Sequence, residues 1–423
     1  MRDEFGNPDL KEPHRTDSTA FTRQRKLGFV TCAVLILQKS VKSLQIKLNE
    51  FSDYLEGQRV TAGAYTQARA KLSPTLFYDL NKKCYAQRWY DAGDYKRYKG
   101  HRLLAVDGSK IRLPDSKTTR EEFGSIRIKN QYGIGSYTGA QSSVMYDVFN
   151  EFIVDSALAH GKTSEKELAF QHLELCREKD LIIFDRGYSG YELFATITQR
   201  NLDFLCRCSK NAFGVVQDFI SNEKQKDKVV TLTPCKDIQS KVIQKNLLES
   251  LKIRLVKVVL KTGEIEILAT SLVDKSKYPC KDFKKLYAAR WGVETFFDKI
   301  KNRLALENFS GKTAISVKQD FYSTMLITSI ESELTVPVND KLIHKSNNKH
   351  QQKVCKSVSF NAIKHKIINL LFCRDIEYDS LVEQLQQLFS KNTIPIRPNR
   401  SSTRKSTLRR ALHFHHRIKK FVF

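Results

Sequence analysis

The chain has 423 residues, with 72 Lys and Arg against 46 Asp and Glu, a net charge of +26. A hydrophobic fraction of 41% with 25 Phe and 16 Tyr excludes a mainly disordered chain, and the length allows roughly two to four domains. Positive charge on this scale names a polyanion as partner class and leaves the reaction open.

Leu27 to Leu37 is the longest apolar run, and it falls well short of the roughly 20 residues that span a bilayer. Polar Gln38, Lys39 and Ser40 follow it, where a signal peptide would show small cleavage-site residues. A buried helix is the reading, and no membrane partner is expected. The 9 cysteines are scattered, form no Cys-x-x-Cys pair and give neither a zinc framework nor a disulfide framework. Their pattern fits a reduced, cytosolic protein.

Residues 1–100 read as a helical N-terminal domain. Leu44, Leu48, Phe51 and Leu55 recur at helical spacing, Thr61 can cap a helix to about Lys71, and Ser73-Pro74 gives a second start. These two short helices, with Arg69, Lys71, Lys82 and Lys83, fit either a helix-turn-helix or an ordinary helical hairpin. The period then changes. Leu103 to Val106 predicts a buried strand ending at Asp107-Gly108, and Ser142–Val148 with Phe152–Leu158 predicts a hairpin around Asn150-Glu151. Ser164-x-x-Glu167 fits a capping box. Leu181 to Phe184 is a second buried strand, running into Asp185-Arg186-Gly187-Tyr188, and Phe204 to Cys208 a third. The order of elements predicts a mixed α/β sheet across residues 101–330.

Between about residues 209 and 280 the chain turns lysine-rich and strand-like, with strands expected at 228–232, 253–259 and 264–270 and a turn at Thr262-Gly263. This reads as a β-rich insertion. A long helix is expected from about Asp282, and the chain reads as helical again after Pro337. Residues 384–423 hold ten Lys or Arg and no acid, so 331–423 forms a basic helical C-terminal region. His413, His415 and His416 fall among these cations and read as part of a phosphate-binding face rather than a metal site.

Asp107 and Asp185 end two strands expected to be neighbours, which brings two carboxylates within reach of a hard cation such as Mg²⁺. A third acid comes from the helix. At about 100° per residue, Tyr287, Arg290, Glu294 and Lys301 share a stripe about 60° wide beside an apolar face of Leu286, Val293, Phe297 and Ile300. Arg290 and Glu294 are also an i,i+4 pair, the mark of an ordinary salt-bridged helix. Asp298 lies close to the same stripe, and geometry leaves it level with Glu294.

The spacing Tyr287-x2-Arg290-x3-Glu294-x6-Lys301 resembles, without deviation, the Tyr-Arg-Glu-Lys signature of the IS-four insertion-sequence family of DDE transposases. The resemblance extends to Asp185-Arg186-Gly187-Tyr188 and, in layout, to most of the chain. It implies a ribonuclease-H-like core with a β-rich insertion, flanked by helical N- and C-terminal domains that bind DNA, the latter also serving dimerisation. It selects Glu294 over Asp298 and implies Asp107, Asp185 and Glu294 as catalytic residues holding two Mg²⁺ ions, with Mn²⁺ as a substitute. Tyr287, Arg290, Lys301, Arg186 and Tyr188 are implied DNA contacts. The implied partners are double-stranded DNA, as terminal inverted repeats and target, and a second copy of the chain in a synaptic complex. The implied setting is the bacterial cytoplasm, at the nucleoid. One departure stands out. Relatives that form DNA hairpins use a tryptophan in the insertion, whereas Trp89 and Trp291 lie outside it, leaving Phe213, Phe219 or Tyr278 as substitutes. A related nuclease that does not join strands, and a DNA-binding descendant without catalysis, are the competing readings.

Overall fold

The alternation of apolar residues from Leu103 onward builds a sheet that organises the whole molecule. The computed structural model describes residues 1–23, 25–39, 42–55, 59–130, 133–222, 224–260, 263–345, 348–372 and 375–397. Nine strands form one mixed sheet: β1 (Leu103–Arg112), β2 (Ser125–Asn130), β3 (Gly133–Asp147), β4 (Phe152–His160), β5 (Leu181–Phe184), β6 (Asp203–Cys208), β7 (Asp227–Leu232), β8 (Leu251–Val259) and β9 (Ile265–Thr270). The central order β4-β3-β1-β5-β6, with β1, β5 and β6 parallel and β3 antiparallel to both β1 and β4, is the ribonuclease-H-like arrangement.

β1 is longer than its apolar run. Its parallel register with β5 stops at Ala105↔Ile183, while its antiparallel register with β3 continues to Arg112↔Gly139. Asp107 therefore lies within the strand, at the point where one neighbour ends, and not at the strand's carboxyl end as its sequence implied. β2 and the first half of β3 were not legible either, being polar and glycine-containing; they pair with each other from Ser125↔Thr138 to Asn130↔Gly133. The hairpin at Asn150-Glu151 is present, with Glu151 at φ 57° and Asp147 accepting hydrogen bonds from the Asn150 and Phe149 N–H groups. The capping box forms as expected, Ser164 and Glu167 each accepting from the other's backbone N–H at the start of the helix Glu165–His172.

The lysine-rich insertion extends the core sheet. β9 runs antiparallel to β6, pairing Cys206↔Ala269, and β8 and β7 follow in order. The helices Gly214–Ser221 and Lys236–Gln244 accompany these strands and bury Val216, Phe219 and Val242 against the helix Tyr191–Gln199. Of the turn at Thr262-Gly263, Thr262 lies outside the described residues, as do His413, His415, His416 and the rest of 398–423.

The two ends of the chain share a core. Leu35, Ile36, Leu76 and Phe77 from the N-terminal helices pack with Leu326, Ile330 and Leu334 and with Ile363, Ile367 and Phe389 near the C-terminus. Full burial of each such side chain stabilises the fold by about 1.5–3 kcal/mol. The common element is a helix of 32 residues, Ala314–Lys345, which runs through Pro337 instead of restarting after it. The proline forfeits one backbone hydrogen bond, a loss offset here by buried Leu334, Val336 and Val338 around it. Arg69 belongs to this junction. It is 4% exposed, pairs with Asp320 at 3.1 Å and donates to Gln319 at 2.8 Å, so it fastens two helices and does not face solvent.

Candidate catalytic site

Strand alternation assigns a face to each acid. Leu104, Val106, Ile182 and Phe184 point to one side of the sheet, into the cluster under the helices Glu165–His172 and Tyr191–Gln199. Leu103, Ala105, Leu181 and Ile183 point to the other, into clusters completed by Leu286, Tyr287, Val293, Phe296, Phe297 and Ile300. Asp107 and Asp185 continue the second series. They therefore project toward the chain segment that carries Tyr287, Arg290, Glu294 and Lys301.

That segment is not one straight helix. Asp282–Ala288 and Trp291–Asp298 are joined by a tightened step, with Arg290 N–H donating to Tyr287 O at 3.0 Å and Gly292 N–H to Ala289 O at 2.9 Å. A wide turn, Lys299–Arg303, follows. One step overwinds and the other underwinds, so the four polar residues stay on the sheet side. Gly292 lies against Val148 and Tyr146, at a distance where a Cβ would make ordinary contact.

Asp107 accepts from the Gly108 N–H at 2.9 Å. Burial pushes its carboxyl up to about 6; the Gly108 N–H and Arg290 pull it down, and Glu165 and Glu294 push it further up. Asp185 goes the other way. Burial acts against it, but the Arg186 N–H and the guanidiniums of Arg207 and Arg290 outweigh burial and hold it below the usual carboxylate range. Arg207 donates to Asp185 Oδ1 at 2.8 Å and to Glu266 on β9 at 2.7 Å, and the Tyr287 hydroxyl donates to the same Asp185 oxygen at 3.4 Å. Glu294 accepts from Arg290 at 2.6 Å. Arg290 is 4% exposed and acts electrostatically on Asp107, Asp185 and Glu294 together. Lys301 Nζ donates to Ser109 Oγ at 2.5 Å and to Lys110 O at 2.8 Å, tying the far end of the segment to β1 just beyond Asp107.

The three sequence-derived acids thus gather around one arginine. Asp298 does not join them; it is exposed and accepts from Asn302 at 2.5 Å. Arg186 is exposed on the turn after β5, whereas Tyr188 is 1% exposed, packs on Phe184, and has a hydroxyl with no hydrogen-bond partner. Phe219 and Tyr278 are buried core residues. Arg207 was missed in the sequence. Its signal was its place between buried Cys206 and Cys208, one position past Phe184↔Cys206, which sets it beside Asp185.

Carboxylates alone are the donor set of a hard cation. As placed, no three His, Cys, Asp or Glu side chains among the described residues stand close enough to hold an ion; Asp185 is paired with Arg207 and Glu294 with Arg290. The carboxylate oxygens are donors of the kind a hydrated divalent cation takes, whereas the buried Arg290 Nε–H, without a partner among the described residues, is a donor suited to an anion such as a phosphate.

A ribonuclease-H-like sheet with two acids on its strands and a third on the segment packed against it is the frame of this site, and the comparisons supply the family. Residues 98–330 match the family described as "Transposase DDE domain", more than half of the chain, and the protein belongs to it. It is a DDE transposase of the IS4 type, similar to the "Transposase InsG for insertion sequence element IS4" of Escherichia coli (strain K12), with 25% identity over 333 residues, 76% of this chain and 73% of that protein. Among solved structures, a piggyBac transposase synaptic complex with hairpin DNA aligns over 95% of this chain and 84% of its own, at TM-score 0.45 and 11% identity. No helix of the described residues is long and apolar enough to cross a membrane.

Proposed function

We propose that this insertion-sequence transposase cleaves DNA at the ends of its element and transfers the 3′ ends into target DNA, with Asp107, Asp185 and Glu294 as the catalytic carboxylates. The observation that carries this reading is the convergence of all three acids on Arg290. When bound between them, two Mg²⁺ ions, or Mn²⁺, supply an activated water or DNA 3′-hydroxyl and a charge partner for the leaving oxygen.

The protein's own part is positional. β1 and β5 fix Asp107 and Asp185 in register, and Arg207 holds Asp185 ionised. Glu294 would be the third carboxylate to hold a cation, and Arg290, beside it, would offer its guanidinium to a phosphate next to the scissile bond. Tyr287 and Lys301 flank that position, Arg186 offers a second cation from the turn after β5, and Tyr188 supports the turn from the core. No protein–DNA covalent intermediate is needed. The helical region at 1–100 and the basic C-terminal region at 331–423 contact double-stranded DNA at the terminal repeats, and two copies of the chain pair the ends in the cytoplasm.

Strand transfer separates this reading from that of a nuclease. Purified protein incubated with element-end duplexes and a supercoiled plasmid in Mg²⁺ is expected to give plasmids carrying covalently joined ends. Cleaved ends accumulating with no joined product favour a nuclease, and binding without cleavage favours a non-catalytic descendant.

A further inference from the structure

A groove of about 1110 Å³ opens beside the acids on the opposite face of the sheet, bounded by β1, the β2–β3 hairpin and the loop leading into the helix Glu165–His172. Its lining is that of a phosphate-binding surface. Lys110, Arg127, His160, Lys162 and Lys166 contribute basic side chains, and Ser125, Ser136 and Thr163 contribute hydroxyls. Lys110, Arg127 and Lys162 are exposed and enter no ion pair with a described residue. Lys166 donates to Ser189 O at 2.9 Å, which moors it to the turn that follows Asp185.

The inner end of the groove meets the catalytic centre. Glu165, its one carboxylate, lies directly over Gly108, where a Cβ would stand 2.7 Å from Glu165 Cγ. Gly108 is also the residue whose N–H holds Asp107. Gly187, from the turn after Asp185, lines the same end and offers bare backbone. Beyond Ala105 the β1–β5 ladder ends, so among the described strands Asp107 and Gly108 have no ladder partner on that side of β1.

The geometry points to this groove as the seat of the DNA strand that continues past the reactive phosphate, with Lys110, Arg127 and Lys162 contacting successive phosphates. Glu165 marks the boundary, repelling backbone from the acid end so that the strand turns toward the catalytic face there. The assignment rests on the transposase reading above and adds a strand path to it. Contacts of this type carry no base specificity and make binding steeply salt-dependent.

The test compares wild type, R127E/K162E and K236E/K241E, the last pair reversing two charges on the insertion helix away from the groove. Fluorescence anisotropy is read over a salt series with element-end duplexes that either stop at the cleavage position or continue past it. For continuing DNA, R127E/K162E is expected to bind at least about tenfold more weakly at 0.15 M salt, with the log–log salt slope shallower by about two. The insertion pair is expected to stay within about twofold of wild type. Equal behaviour of the two double variants, or an equal loss on both DNAs, overturns the groove assignment while leaving the catalytic reading in place. Cleavage by D107A at the wild-type rate overturns the catalytic reading itself, and the strand path falls with it.

Discussion

Asp107 and Asp185 are chemically the same residue moved in opposite directions. Burial dominates at Asp107 and raises it to about 6, whereas Arg207 and Arg290 overcome burial at Asp185 and lower it. Only the ionised carboxylate binds a cation, so a raised value means that protons compete with metal as the pH falls through about 6. With Mg²⁺ held below saturation, the cleavage rate is expected to be level above that pH and to drop about tenfold per unit below it. Replacing Arg207 by Met removes the main side-chain partner of Asp185 and lets its carboxyl rise, but Asp107 still sets the limb, so R207M should leave it near 6. A limb moved to higher pH in R207M would mean that Asp185, and not Asp107, sets it. Of the residues at this site, the acids were legible because each follows an apolar run or falls on a helical stripe. Arg207 and Glu165 were not, because each acts only through neighbours that come together in the sheet.

At the scale of elements, the segment from Asp282 to Arg303 shows what periodicity can and cannot give. Its inward face was readable, since Leu286, Val293, Phe297 and Ile300 are all buried. The tightened step at Arg290 and the wide turn at Lys299 were not, since a period of about 3.6 residues per turn carries no sign of where a helix tightens or widens. The long helix Ala314–Lys345 was hidden for a different reason. It is buried on several sides and uses polar side chains as joints: Gln319 donates to Arg69 O at 2.8 Å and to Leu72 O at 2.7 Å, and Ser329 donates to Asn81 at 2.6 Å. Such a helix shows no polar face. Its strongest joint is Arg69 with Asp320, both almost fully buried. R69A leaves the Asp320 carboxylate buried without its cation and is expected to cost about 3–5 kcal/mol in urea unfolding. R69M/D320L, which removes both charges, should recover most of that loss. A loss below about 1 kcal/mol in R69A would show that the pair is not a structural joint.

For the whole molecule, the opening charge of +26 divides by role. Arg69, Arg102, Arg254 and Arg290 are buried with acid partners and hold the fold or the site together. The groove cations on β1, β2 and the loop after β4 face outward, where a polyanion can reach them. The sheet order was legible because buried strands and a capping box fall in sequence order. The shared core between the chain's two ends was not, because Leu35 and Phe389 carry no sign in the sequence that they belong together.

On the proposed reading Asp107, Asp185 and Glu294 carry the chemistry, and Asp298 on the same segment does not. The most direct test of this is the Mg²⁺-dependent cleavage rate on element-end DNA for wild type, D107A, D185A, E294A and D298A, with DNA affinity measured in parallel. Loss of cleavage by at least about a thousandfold is expected in each of the first three variants, with binding kept and D298A near wild type. Wild-type cleavage by any of D107A, D185A or E294A, or loss of cleavage in D298A with E294A active, would overturn the assignment of these three acids.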